Sequence, residues 1–191
     1  MKNAVQKLTL SALFIALGLV LPFLTGQLQQ IGNMMLPMHI PVFLCGLICG
    51  WKYGLAVGFI LPLFRSFLFT MPALYPNAVG MAFELATYGA VAGYLYGRSR
   101  WQCVRALYRS IIAAMAAGRL VWGAVRVVLL GLWSTPFSFA MFLAQAFTNA
   151  IPGIILQLTL IPAIMVALHR AKLVPFHHTQ KCHDRAGNPH V

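Results

Sequence analysis

Six apolar blocks, punctuated by basic residues and turn formers, constrain this chain more than any single motif does. A helix of about 20 residues is needed to cross a hydrocarbon core of about 30 Å. Read at that length, the blocks fall at roughly 5–24, 36–51, 54–70, 78–97, 108–132 and 139–168. The second and third are short and separated by "GWKYG", whose glycines and lysine predict a tight helical hairpin with its turn at the headgroups. Lys2 and Lys7 precede the first block as in a signal peptide, but no small-x-small cleavage site follows "LPFLTGQ", so the block is read as a helix. Composition agrees: of 191 residues 60% are hydrophobic and 8% charged, against roughly a quarter charged in soluble domains. A nucleic-acid binder spreads its basic residues over a solvated face. Here they separate apolar blocks, which excludes nucleic acid as a partner and leaves lipid as the surroundings.

The sorting of charge sets the expected topology. Lys2, Lys7, Lys52, Arg98, Arg100, Arg105, Arg109, Arg170, Lys172, Lys181 and Arg185 fall at the N-terminus, in the second and fourth connections, or in the tail. The first, third and fifth connections, "TGQLQQIGNMMLP", "TMPALYPNA" and "WSTPFS", carry none. Lys and Arg accumulate on the cytoplasmic side. The expected fold is therefore an all-α membrane protein, a bundle of six transmembrane helices with both termini cytoplasmic. Residues 1–172 form the single domain and 173–191 a flexible cytoplasmic tail.

Three arginines, Arg65, Arg119 and Arg126, lie inside the blocks with Glu84, and the only other acid in the chain is Asp184 in the tail. An ionisable group in the bilayer costs several kcal/mol unless it faces a bundle interior, a partner or a wet cavity. Counted from the block ends at about 1.5 Å per residue, Arg65, Glu84 and Arg126 share a level roughly 7–9 Å inside the outer face, which His39 joins. Arg119, Trp122, Arg126 and Trp133 follow one helical face, with Arg119 nearer the midplane. Phe142, Gln145, Asn149 and Pro152 make a similar stripe in the sixth block. Charged, amide and aromatic groups converging on an outward-facing cavity are the composition of a small-molecule site. The expected substrate-binding residues are His39, Arg65, Glu84, Arg126, Trp133, Gln145 and Asn149. The plainer reading is that Arg65 or Arg126 pairs with Glu84 to lock helices together, but one acid cannot neutralise three arginines.

Other chemistry is sparse. No phosphate-cradling GxxxxGK(S/T) loop exists, so the chain does not power transport with nucleotide by itself. Cys45 and Cys49 read as small core residues, and Cys103 and Cys182 fall on the reducing side, where no disulfide is expected. The tail residues His177, His178, Cys182 and His183 match no standard zinc spacing. No cofactor and no metal are expected. Small residues recur four apart at Ala12 and Ala16, at Gly89, Gly93 and Gly97, and at Ala113, Ala117 and Ala114, Gly118, a spacing that lets helices approach closely.

Six short helices in about 190 residues, with "LTLSALFIALG", "LPMHIPVFLCGLICGWKYGLAVGF", "GMAFELATYGAVAGYLYG" and "FTNAIPGIILQ", together resemble the substrate-binding S component of energy-coupling factor (ECF) transporters. The resemblance covers nearly the whole chain. It implies a non-enzymatic, multi-pass subunit of a prokaryotic plasma membrane that takes up a water-soluble vitamin or similar micronutrient. The pocket would lie near the extracellular side beneath the loop between the first two helices. The AxxxA of the first helix, here Ala12 and Ala16, would contact the transmembrane T component, and two ATPase subunits would drive the S component to topple and release substrate. Glu84 and Asn149, on helices that line the family's pocket, transfer from it. Arg65 and Arg126 rest on depth and charge.

An arginine-rich site suits a carboxylate or phosphate, which favours pantothenate or another acidic vitamin. Glu84 with aromatics equally suits a pyridoxine-like or pyrimidine ring. The chain lacks the N-terminal histidines of nickel and cobalt S components. Two rivals remain: a small membrane enzyme using His39 and Glu84 on a lipid-linked substrate, and a structural membrane subunit.

Overall fold

The computed structural model describes residues 4–24, 38–70, 73–99, 104–131 and 151–170, and these are helical almost throughout. The helices are α1 (Ala4–Leu24), α2 (His39–Cys49), α3 (Trp51–Phe69), α4 (Val79–Arg98), α5 (Val104–Gly131) and α6 (Ile151–Arg170), with a wide turn (Leu74–Ala78) leading into α4. No strand occurs among the described residues, so the expected all-α bundle is the architecture. The first half of the sixth expected block, 139–150, lies outside the described residues, as does the tail.

Among the described residues five helices are long and apolar enough to cross a membrane, and α2 is a shorter apolar helix. At 11 residues it rises about 16 Å, against about 28 Å for the 19 residues of α3. The two helices are joined by Gly50 alone, at φ 103° and ψ 167°, a conformation that glycine tolerates and L side chains rarely adopt. Gly50 N donates to the Gly46 carbonyl and Gly54 N to the Gly50 carbonyl, at 3.1 and 3.0 Å, so Gly50 closes the ladder of one helix and opens that of the next. The hairpin expected at "GWKYG" is therefore present, with its turn compressed to one residue.

The α2–α3 hairpin lies directly on α4, and glycines make the approach possible. A Cβ on Gly54 would meet the Gly46 Cα at 2.6 Å and the Gly89 carbonyl oxygen at 2.7 Å. One on Gly93 would meet the Trp51 backbone at 2.8 Å, and one on Gly58 would collide with the Leu85 carbonyl. Three helix backbones thus touch, with no side chains between them. Gly97, expected in the same stripe, faces open space instead.

α4 occupies the centre, packing against α2, α3 and α5, while α1 lies against α2 and α3, and α6 against α2 and α5. Leu85, Tyr88, Phe43, Leu61, Leu107, Ile111, Ile161 and Met165 are fully buried at the junctions. α1 turns Ser11, Phe14 and Gly18 inward and leaves Ala12 and Ala16 exposed. α5 begins four residues before the expected position, so Arg105 and Arg109 are exposed residues of a helix rather than of a connection. Arginine is a good helix former and nothing in "VRALYRS" stops the helix. Its 28 residues span about 42 Å, past a hydrocarbon core of about 30 Å.

The glycine crossing predicts an asymmetric pair of substitutions. Gly89→Val, which drives a side chain into the Gly54 backbone, should destabilise the detergent-solubilised protein by about 2 kcal/mol or more. Gly97→Ala should be neutral or raise stability by up to about 1 kcal/mol. Thermal unfolding followed by size-exclusion recovery reads both.

Candidate functional site

α4 and α5 run antiparallel in a register fixed by four contacts. At one end Tyr75 donates a 2.6 Å hydrogen bond to the Leu129 carbonyl. Next, Gly80 faces Trp122 and Arg126, with room for ordinary van der Waals contact to both. Below that Arg119 Nη1 lies 3.1 Å from Glu84 Oε1. Deepest, Gly118 admits the ring of Tyr88.

Glu84 is the anionic centre of this ladder. Its side chain is 3% exposed and that of Arg119 13%. Its Oε1 accepts a hydrogen bond from Tyr88 Oη at 2.7 Å and also pairs with the Arg119 guanidinium, so one oxygen takes a neutral hydrogen bond and an ion pair. Tyr88 sits one helical turn from Glu84 on the same face, which is why it reaches without leaving the helix. Its ring lies 5.2 Å from His39 and 5.1 Å from Phe43, the latter stacked. Tyr88 therefore stands between His39 and Glu84.

Arg126 occupies the level above. Its guanidinium carbon is 5.1 Å from the centroid of the buried Trp122 ring, a cation–π geometry worth about 0.5–2 kcal/mol according to solvation. The face expected from the spacing of Arg119, Trp122 and Arg126 is thus realised, and it is turned toward α4.

Two expectations about depth change. His39 begins α2, and because α2 is short it lies near mid-bundle, about 12 Å below the far end of α3, packed on Tyr88. Glu84 lies one turn deeper than Gly80, the level at which Arg126 packs, so the two do not share a depth. The pairing expectation changes as well. Glu84 forms an ion pair with Arg119, the arginine that the pairing expectation leaves aside. Gly58 packs against Leu85 and Ala86, which places the half-buried Arg65 about two turns from Glu84 toward the Tyr75 end. Trp133, Gln145 and Asn149 lie outside the described residues.

Tyr88 and Gln157 were not singled out by sequence. Tyr88 had a signal, its four-residue offset from Glu84. Gln157, on α6, is 2% exposed within an otherwise apolar run. No group of three or more His, Cys, Asp or Glu that could hold a metal ion occurs among the described residues. The chemistry on offer is recognition: guanidinium, phenol, indole and imidazole groups inside an apolar bundle.

The Glu84–Arg119 tie has a measurable signature. Arg119→Gln alone strands a buried carboxylate and should cost about 3 kcal/mol of stability. Adding Glu84→Gln should recover most of that loss, since two neutral amides leave no buried charge. Thermal unfolding of the two single variants and the double variant gives the coupling.

No curated protein and no solved structure gives a significant match to the chain. A family model does, across residues 6–165, a span that runs from the first turn of α1 into α6 and so reaches all six helices. The protein belongs to the ECF transporter, substrate-specific component family.

Proposed function

We propose that this S component binds a small water-soluble vitamin carrying an anionic group, pantothenate or another acidic vitamin, in the half of the bundle nearer Tyr75. Membership of the family makes the chain the substrate-binding subunit of a micronutrient transporter, working with a transmembrane T component and ATPases. The observation that supports the anionic substrate is a charge imbalance. Arg65, Arg119 and Arg126 lie within the helices, Glu84 is the one acid there, and the only other acid in the chain is Asp184. Glu84 is engaged by Arg119, and one carboxylate cannot offset three guanidinium groups, so the helices carry a positive excess whichever of them it serves. A carboxylate or phosphate satisfies guanidinium groups by paired, charge-assisted hydrogen bonds. The Trp122 indole backing Arg126 holds it in place for that contact.

The proposed site consists of Arg126, Arg65 and Trp122, with Glu84, Arg119, Tyr88 and His39 beneath them. Trp133, Gln145 and Asn149 remain proposed contributors from sequence. The exposed Ala12 and Ala16 on the outward face of α1 form the proposed contact with the T component, since small residues there allow close helix approach. Both termini are proposed to be cytoplasmic, because the Gly50 turn with Lys52, the end of α4 at Arg98 and the start of α5 at Arg105 share one end of the bundle.

Equilibrium binding of radiolabelled vitamins to the purified protein tests the substrate. Pantothenate or another acidic vitamin should bind, and neutral or cationic vitamins should not compete. Arg126→Ala should weaken binding about 100-fold while leaving the fold intact, as expected for a charge-assisted contact of about 2–3 kcal/mol. Unchanged affinity in that variant overturns the assignment of Arg126. Ala12→Trp should leave binding intact and abolish uptake by cells that express the whole transporter, which separates the coupling surface from the pocket.

A further inference from the structure

The interior stripe of α6 runs Gly153, Gln157, Ile161 and Met165 at four-residue spacing, and all four are buried. Ile161 and Met165 belong to the hydrophobic core. Gln157 does not fit that role. It is 2% exposed, and its Nε2 is buried with no hydrogen-bond partner among the described residues. Buried amides are almost always satisfied, and one that is not carries the full cost of its lost hydration. An aliphatic residue would fill the same place in an apolar run without that cost, so the amide calls for a partner, and none of the described residues supplies it.

The level of Gln157 points to that partner. α6 ends at His169 and Arg170, α4 ends at Arg98, and α5 begins beside Arg105. Counted from these basic ends, Gln157, Glu84 and Arg119 each lie about 20 Å into the bundle. α6 packs against both α5 and α2, the helices that bring Arg119 and His39 inward. The amide therefore shares a layer with the Glu84–Arg119 pair, below Arg126.

We infer that Gln157 donates a hydrogen bond from its Nε2 to a carbonyl or hydroxyl oxygen of the transported vitamin, so that the substrate carries a neutral acceptor in addition to its anionic group. This rests on the proposed anionic-vitamin reading and deepens it. Arg126 fixes one end of the molecule by charge. Gln157 reads the uncharged part, and a vitamin with a carboxylate but no second acceptor is discriminated against because it leaves the amide stranded.

Two measurements on the purified, dialysed protein test this, with pantothenate as the probe because it has both a carboxylate and an amide. Gln157→Leu should raise the unfolding temperature of the substrate-free protein, since it removes an unsatisfied buried amide. The same variant should weaken pantothenate binding about tenfold, and Gln157→Asn should fall between it and the wild type. A lower unfolding temperature for Gln157→Leu would mean that the amide is already satisfied in the free protein, by water for example, and overturns the inference. Normal pantothenate binding to the wild type that Gln157→Leu leaves unchanged overturns it alone. Failure of pantothenate to bind the wild type overturns both it and the pantothenate assignment, while Arg126→Ala tested against other acidic vitamins still decides the charge reading.

Discussion

A single carboxylate inside an apolar bundle organises this protein. Glu84 is held between Arg119 on α5 and Tyr88 one turn along α4, and it cannot be moved or neutralised without exposing a cation to the bilayer interior. Because the pair spans two helices, it also fixes their register. The Gly80, Trp122 and Arg126 contacts above it and the Tyr88–Gly118 contact below follow from that register. In water an ion pair of this kind is worth little. Where lipid surrounds the helices, leaving either partner alone is expensive, and the tie becomes a constraint on the whole fold.

That constraint acts on α4, which is shaped differently on its two sides. Toward α5 it presents Gly80, Glu84 and Tyr88, and toward the α2–α3 hairpin it presents Gly89 and Gly93. The polar side specifies which residues meet. The glycine side uses no hydrophobic driving force between helices, since lipid is as apolar as any side chain, and relies on close backbone packing instead. With α4 held on both sides, α1 is free to turn Ala12, Ala16 and its larger apolar residues outward.

Much of this was legible in the sequence, for reasons specific to particular residues. The long helices could be read because apolar length and the sorting of Lys and Arg are one-dimensional signals. The Gly50 turn could be read because Gly and Lys interrupt a continuous apolar run. The common face of Arg119, Trp122 and Arg126 followed from helical period alone. The second block was read as short, at 36–51, and the described helix is shorter still, His39–Cys49, a difference of a few residues that composition does not mark. The depth of His39, counted from the outer block ends, failed because α2 stops short of the level that α3 reaches. The choice of Arg119 as the partner of Glu84 depends on which helices are neighbours and in what register, and neither is written locally. Gln157 illustrates the limit most plainly: a lone amide in an apolar run carries no pattern, and its meaning lies in its surroundings.

The stacking of Arg126 on Trp122, beside an Arg119 already held by Glu84, has a kinetic consequence. Long cationic side chains ordinarily lose about 2 kcal/mol of rotamer freedom each when a ligand immobilises them. Here Arg126 is ordered against the Trp122 ring and Arg119 against Glu84, so in the proposed mode an anionic vitamin meets guanidinium groups that need little reorganisation. A site that is rigid before it is filled suits a scavenger working at scarce supply. In the proposed mode such a site releases its cargo when work is done on the bundle from outside it, a task for a partner that hydrolyses nucleotide.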